Sequence, residues 1–238
     1  MGKNKLKKFA ECKKFACMLE PEKSDFLDVS YKYKGLWSRD FFKNDNPIFL
    51  ELGCGTGAYS MALSKMYKDR NFVALDIKGA RMWSGAKQAN EEQLCNIAFL
   101  RTNIEFINRF FSENEVSGIW ITFPDPHLRN SERCLRLTSP LFLEKYSFIL
   151  KKSGFMHLKT DSKDFFNYTL SVLKSNSIVP EFLSDDLYAC GDELEYEVKG
   201  VQTVYENRFL AEGKPICYMK FALVTKVLTN IHSPETRL

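Results

Sequence analysis

A glycine-rich turn is the first stretch of the sequence whose residue types could bind a ligand. The turn runs from Glu51 to Gly57, follows the apolar residues 48–50 and precedes a segment with helical periodicity. Glycines let the backbone turn sharply and let a ligand approach the main chain, and the helix N-terminus behind them offers free N–H groups. The turn therefore predicts a nucleotide-like ligand, with a plain strand–turn–helix junction as the alternative.

Three ligands compete for this turn. A P-loop requires G-x-x-x-x-G-K-[ST], and no such Lys-Ser or Lys-Thr pair is present here. Gly53, Gly55 and Ala58 satisfy the dinucleotide pattern G-x-G-x-x-G/A, which is weak by itself. S-adenosylmethionine carries an ammonium and a sulfonium group and no pyrophosphate, so the acidic Glu51 before the first glycine favours it. Asp76 ends the next apolar run, where its carboxylate can accept hydrogen bonds from the two ribose hydroxyls of either cofactor.

An aspartate between two prolines is a second candidate site. Residues 123–129 read Phe-Pro-Asp-Pro-His-Leu-Arg and follow the apolar residues 119–121. Prolines fix the backbone φ angle, so Asp125 is held stiffly where the carboxyl ends of parallel strands form a ligand crevice. A tight turn with a solvent-facing Asp125 is the simpler alternative.

Short apolar runs predict the strands that position these residues. They cover residues 48–50, 72–75, 97–100, 119–121 and 155–158, and segments with helical periodicity lie between them. One such helix follows Ser139 as a cap and has Pro140 at its first position. Later strands are expected near 179–183 and 216–223, with a helical stretch near 204–210. The predicted fold is α/β, with a mostly parallel doubly wound sheet and antiparallel late strands.

The glycine turn with Asp76 resembles motif I and its acidic partner in class I, Rossmann-like methyltransferases. Asn103 stands where such enzymes place a polar contact to the adenine edge, and a turn or helix cap is its plainer alternative. Further motifs resemble the tRNA (guanine-N7-)-methyltransferases across nearly the whole chain. They are Gly2-Lys3-Asn4-Lys5-Leu6 with Phe9, the loop 123–129, Thr160-Asp161, and Thr203-Val204-Tyr205-Glu206 with Arg208, Phe209 and Gly213.

This resemblance implies methyl transfer from S-adenosylmethionine to N7 of a guanine in tRNA, namely guanine 46 of the variable loop. The residues that it assigns to the cofactor are Glu51, Gly53, Gly55, Gly57, Asp76, Asn103 and Asp125. The residues assigned to the guanine are Arg129, Asp161, Thr203 and Glu206, with Asp125 and Asp161 as the catalytic residues. The residues assigned to RNA contact are Ser131, Arg133, Arg136, Lys5, Lys7 and Lys8. The loop departs from the family at His127 and Leu128, where Trp and Pro are usual, and Arg129 replaces the first Lys.

This reaction requires alignment of the guanine nitrogen, the methyl group and the sulfur, and it requires no general base. Guanine N7 is an unprotonated lone pair, so most of the rate would come from proximity and orientation. Asp161 or Glu206 could accept hydrogen bonds from the guanine N1–H and N2–H, and a nearby carboxylate stabilises the positive charge that methylation creates. Asp161 could instead cap a helix that begins near Ser162, and Thr203 with Glu206 could form a capping box. We expect Asp125, Asp161 and Glu206 to meet in one pocket.

Composition restricts the remaining possibilities. Hydrophobic residues make up 45% and charged residues 27% of the 238, which excludes disorder for most of the chain. No apolar run approaches the roughly 18 residues of a membrane span, and no export signal is recognisable, so a cytoplasmic protein with free thiols is expected. The seven cysteines and three histidines show no zinc spacing, so no metal is expected.

The lysines of the first fourteen residues predict a basic arm, residues 1–20, that is mobile and binds tRNA, followed by a single methyltransferase domain over 21–238. The net charge of +4 permits a polyanionic partner without requiring one. The sequence leaves monomer and homodimer open.

Three other functions remain open at this point. One is an RNA-binding member of the fold with lost or altered catalysis, which His127-Leu128 suggests, and S-adenosylmethionine binding would distinguish it. The second is a methyltransferase with a different substrate, which methyl transfer to free small molecules would reveal. The third is an NAD-dependent oxidoreductase, which Glu51 disfavours.

Overall fold

The structure is a computed structural model that describes residues 2–22, 25, 31–191, 194 and 196–223. The other residues of the predicted domain 21–238 lie outside the described ranges.

Within these ranges the centre of the protein is a sheet of eight strands. They are β1 (Met18–Leu19), β2 (Ile48–Leu52), β3 (Asn71–Asp76), β4 (Ile97–Arg101), β5 (Val116–Thr122), β6 (Leu150–Thr160), β7 (Phe182–Ser184) and β8 (Cys217–Ala222). The strand order is β1-β4-β3-β2-β5-β6-β8-β7. The first six strands in this order pair in parallel, and β8 pairs antiparallel with both β6 and β7.

Helices cover both faces of the sheet. They are α1 (Gly2–Cys12), α2 (Ala58–Met66), α3 (Gly79–Glu91), α4 (Ile107–Phe110), α5 (Pro140–Ile149), α6 (Lys163–Ser175), α7 (Tyr196–Lys199) and α8 (Val204–Ala211). One face packs Trp37, Phe110 and Tyr146 into a buried cluster, and the opposite face packs Tyr59 and Phe99 into another. Burial on both faces explains why the parallel strands are continuously apolar.

The predicted fold class is confirmed, and so are all five early strands and the helix near 204–210. One detail of the expectations is wrong, because the first late strand begins at Phe182, whereas Val179 is 85% exposed and outside the sheet. Ser139 occupies the predicted N-cap position before Pro140, and its hydroxyl donates to the Cys134 carbonyl.

The amino-terminal segment contains a helix that packs on α3. The Phe9 ring lies close to Gly79, where an added Cβ would be 3.2 Å from it. The Trp83 indole N–H donates to Glu11 at 2.8 Å, and the Lys8 ammonium lies 4.6 Å from the centre of the Trp83 ring. The division into a mobile arm, residues 1–20, and a single domain stays a prediction.

Candidate active site

A cleft opens where the order of the strands reverses. From β2 the chain proceeds to β3 and β4 on one side, whereas β5 and β6 lie on the other side. The carboxyl ends of strands at such a point form the ligand crevice of doubly wound sheets. The cleft here has a volume of about 560 Å³. Its lining includes the glycine turn, Asp76, Asn103, the loop around Asp125, and residues 203–205.

The three glycines of the turn adopt a backbone conformation that disfavours other residues. Gly53, Gly55 and Gly57 have φ angles of 75°, 59° and 75°. A Cβ at Gly57 would lie 2.3 Å from the Phe99 ring, so packing also requires glycine there. A Cβ at Gly55 would meet nothing within 4 Å. The main chain at Gly55 therefore borders open space in the cleft, which is where a ligand can approach it.

Asp76 fixes the glycine turn from the end of β3. One carboxylate oxygen accepts from the Gly55 N–H at 2.8 Å, and the other accepts from the Lys78 N–H at 2.8 Å. Each carboxylate oxygen has two lone pairs, so both can also accept from hydroxyls of a ligand. Asp76 lines the cleft and fits its predicted role toward a ribose.

Glu51 joins the elements on either side of the strand reversal. It is only 3% exposed and accepts hydrogen bonds from the Ser60 N–H, the Ser60 hydroxyl and the Thr122 hydroxyl. These bonds connect β2 to α2 and to β5. Burial raises the pKa of the Glu51 carboxyl to about 7, although the hydrogen bonds to Ser60 and Thr122 act in the opposite direction. A cationic ligand in the cleft would favour the ionised form.

Asn103 and Asp125 also line the cleft. The Asn103 side-chain oxygen accepts from the Glu105 N–H at 3.1 Å and caps a short 3-10 helix, Ile104–Phe106. The plainer alternative for Asn103 is thus confirmed, and its position in the cleft leaves a ligand contact open. Asp125 is exposed, and one oxygen accepts from the His127 N–H at 3.3 Å.

The loop that carries Asp125 has an unusual backbone. Phe123 and His127 have φ angles of 49° and 43°, a region that non-glycine residues rarely adopt and that is enriched at functional sites. Arg136 stabilises this loop, because its guanidinium donates to the His127 carbonyl at 3.0 Å and to the Leu128 carbonyl at 3.4 Å. Arg136 is only 7% exposed. Its predicted RNA contact is therefore corrected to a role inside the protein.

The residues predicted to hold the guanine do not all reach the cleft. Thr203 lines it, and the neighbouring Tyr205 lines it with 51% of its surface exposed. Asp161 follows β6 and is half-buried but is not among the lining residues. Ser162, and not Asp161, caps α6, because the Ser162 hydroxyl accepts from the Phe165 N–H. The side chain of Arg129 is 82% exposed, with Glu132 at 3.7 Å.

Glu206 is the residue whose surroundings differ most from the predicted contact with the guanine. Its side chain is fully buried, and it forms the capping box with Thr203 that was the alternative interpretation. Of the three residues expected to meet in one pocket, Asp125 lines the cleft, whereas Asp161 and Glu206 are not among its lining residues. The buried partner of Glu206 is Lys159, which sequence reasoning missed. A lysine directly after the buried run 156–158 of β6 is the signal that could have revealed the pair.

The remaining residues predicted to contact RNA are accessible. Lys5, Lys7, Ser131 and Arg133 are exposed, and Lys8 is half-buried against Trp83. The described residues contain no group of three or more His, Cys, Asp or Glu side chains that could hold a metal ion. In the same part of the chain, no helix combines the length and the apolar character needed to cross a membrane.

The fold and the cleft define a Rossmann-like, S-adenosylmethionine-dependent methyltransferase. Residues 45–219 match the family model described as "Putative methyltransferase". Two solved structures have a similar fold. The 16S rRNA methyltransferase KamB matches with a TM-score of 0.59 and 15% identity, covering 79% of this chain and 93% of that one. A SAM dependent methyltransferase from Aquifex aeolicus matches with a TM-score of 0.52 and 15% identity. This match covers 90% of this chain and 98% of that one.

Curated sequences give the particular family. The tRNA (guanine-N(7)-)-methyltransferase of Bacteroides fragilis (strain YCH46) is 48% identical over 223 residues, which is 94% of this chain and 87% of the relative. The protein of that name from Christiangramia forsetii is 48% identical, and the match covers 93% of this chain and 99% of the relative. The chain belongs to the tRNA (guanine-N7-)-methyltransferase family, as its motifs indicated.

Proposed function

We propose that the protein transfers the methyl group of S-adenosylmethionine to N7 of a guanine in tRNA, at position 46 of the variable loop. The observation that carries this proposal is the cleft at the strand reversal, whose lining includes Glu51, Asp76, Thr203 and Tyr205. The names of the relatives, at up to 48% identity, support the substrate and the reaction. We further propose a cytoplasmic enzyme that acts in tRNA modification as a monomer or homodimer.

The residues of the cleft fit the methyl donor. Open space beside the Gly55 main chain admits a ligand, Asp76 can accept from ribose hydroxyls, and Glu51 can face the ammonium group. Asn103 and Asp125 are placed to contribute further polar contacts. The donor supplies an electrophilic methyl group on a sulfonium.

The acceptor side has to orient the guanine and needs no base, since N7 bears no proton. The Thr203 oxygen accepts from the Glu206 N–H at 3.0 Å, so its hydroxyl hydrogen can donate to the guanine O6. Asp161 would accept from N1–H and N2–H and stabilise the charge that develops on the base. Arg129 would also contact the guanine, and Lys5, Lys7, Lys8, Ser131 and Arg133 would contact the tRNA backbone.

The experiment that tests this function uses tRNA lacking the modification and S-adenosylmethionine with a labelled methyl group. After incubation, nucleoside mass spectrometry is expected to find labelled 7-methylguanosine, and mapping is expected to place it at position 46. Label at another guanine would refute the position only. Binding of both ligands without any transfer would favour the RNA-binding alternative that His127 and Leu128 suggested.

Tyr205 is predicted to stack on the guanine. Of the tyrosines that line the cleft, Tyr59 is 1% exposed, whereas Tyr205 is 51% exposed. Stacking of a base on an aromatic ring contributes about 1–3 kcal/mol, so Tyr205→Ala should lower kcat/KM for tRNA by roughly ten- to a hundredfold. Tyr205→Phe should keep most of the activity. Tyr196→Ala is the control, because Tyr196 is 69% exposed and does not line the cleft. Equal losses in Tyr205→Ala and Tyr196→Ala would contradict stacking.

Glu51 should make binding of the donor depend on pH. Its pKa is raised to about 7 in the folded protein by burial, and the ammonium group of the donor favours the carboxylate. Binding of the donor should therefore release a proton. Below pH 7, the affinity for the donor should increase by up to about tenfold for each unit by which the pH increases. Calorimetry in buffers of different ionisation enthalpy measures the proton directly. Glu51→Gln should abolish the release, and an unchanged release in that variant would assign the proton elsewhere.

The same raised pKa affects folding of the free protein. The folded state binds this proton more tightly than the unfolded state, whose carboxyl titrates near the ordinary value of 4.5. The contribution of Glu51 to stability is therefore complete below about pH 4.5 and is lost as the pH rises through about 7.

A further inference from the structure

Lys159 is a charged residue in the interior of the protein. It lies next to Thr160 at the end of β6, and its side chain is 0% exposed. Its ammonium donates to a Glu206 carboxylate oxygen at 2.6 Å, to the Val198 carbonyl at 2.8 Å and to the Val201 carbonyl at 3.4 Å. These three acceptors match the three N–H donors of a lysine ammonium.

Glu206 is equally enclosed and has partners for both oxygens. The oxygen that accepts from Lys159 also accepts from the Tyr188 hydroxyl at 2.8 Å. The other oxygen accepts from the Thr203 N–H at 3.3 Å, which closes the capping box at the start of α8. For the carboxylate to reach a guanine it would have to leave Lys159 as an unpaired buried cation, which is strongly unfavourable.

The pair connects the segments that form the acceptor side of the cleft. Lys159 precedes Asp161 by two residues, and its ammonium binds the carbonyls of Val198 in α7 and of Val201 just after α7. Glu206 is the third residue of α8, whose N-cap is Thr203 and whose second residue is Tyr205. A buried pair tolerates little displacement, because either charge without its partner is costly.

We propose that the Lys159–Glu206 ion pair is a positioning device, which fixes Thr203 and Tyr205 in the cleft, and that Glu206 itself does not touch the guanine. This inference rests on the proposed function. It assigns to Glu206 a role different from the guanine contact that the resemblance implied, and it assigns a role to Lys159.

Three variants separate positioning from direct contact. Glu206→Gln keeps the acceptor that closes the capping box and removes the charge, which leaves the Lys159 ammonium unpaired. Lys159→Met leaves the buried carboxylate unpaired. The double variant Lys159→Met with Glu206→Gln is neutral and similar in volume, and replacement of a whole buried pair is often tolerated where removal of one partner is not.

Positioning predicts strong non-additivity. Each single variant should lower kcat at saturating tRNA by at least about tenfold, while the dissociation constant for S-adenosylmethionine stays within about twofold. The double variant should return to within about fivefold of the wild-type kcat. If the Glu206 charge contacts the guanine, the double variant should be as slow as Glu206→Gln, and that result would overturn the proposal.

The control is the Lys163–Asp185 pair, whose side chains are 51% and 72% exposed. The double change Lys163→Met with Asp185→Asn should alter kcat less than about twofold, as expected for exposed pairs. Should either single variant of the buried pair fail to fold, the double variant alone decides between the two outcomes. Failure of the proposed function is distinguishable, because the wild-type protein would then form no 7-methylguanosine in tRNA.

Discussion

Asp161→Ala is expected to lower methyl transfer by at least about ten- to a hundredfold. Asp161 follows β6, whose residue Lys159 pairs with Thr122 of β5, so Asp161 lies at the same end of the sheet as the Asp125 loop. Loss of one hydrogen bond to a charged acceptor costs about 1.5–3 kcal/mol, and misorientation of the guanine adds to that cost. Affinity for S-adenosylmethionine should stay within about twofold, because the proposed partner of Asp161 is the base.

A single-turnover measurement at saturating tRNA separates this effect from weaker binding. Asp164→Ala is a matched control, because Asp164 is exposed in the first turn of α6, three residues further along. It removes a carboxylate of the same type and should leave the rate within about twofold. A full rate in Asp161→Ala would show that the guanine is held by other residues.

Asp76→Ala is expected to weaken S-adenosylmethionine binding by roughly ten- to a hundredfold or more. The variant loses the proposed charge-assisted bonds to the ribose, worth about 1.5–3 kcal/mol. It also leaves the Gly55 and Lys78 N–H groups without their acceptor, so the turn that borders the donor is less well fixed. Asp76→Asn retains one carbonyl acceptor and should show an intermediate loss.

Calorimetry with S-adenosylmethionine alone measures the Asp76 effect without tRNA. Asp69→Ala provides the comparison, since Asp69 is exposed in the turn that precedes β3. Equal affinity of Asp76→Ala and the wild-type protein would remove Asp76 from the donor site.

Much of the fold could be read from local pattern. The parallel strands are buried on both faces, so each one is a short apolar run, and the glycines and Asp76 mark where β2 and β3 end. The donor half of the cleft follows from this, because the carboxyl ends of neighbouring parallel strands meet at one edge.

The parts that could not be predicted depend on tertiary contacts. Residues 2–12 were predicted from their lysines as a mobile arm, whereas they form a helix that is held by contacts of Phe9 and Glu11 with α3. Arg136 was expected on the surface with its neighbours, but the carbonyls of His127 and Leu128 bind its guanidinium in the interior. A charged side chain is expected on the surface only when no buried hydrogen-bond acceptor lies within its reach. The position of such an acceptor depends on the tertiary structure and cannot be read from neighbouring residues in the sequence.

The strand reversal between β2 and β5 also divides the two ligands by position along the chain. Contacts proposed for the donor come from residues 51 to 125, whereas those for the base come from residues 129 to 205. Substitutions in the later segment can therefore change which nucleoside is accepted while the bonds of Asp76 and Glu51 stay intact. Proteins that share this fold can in this way differ in the acceptor that they methylate and still bind the donor through the same residues.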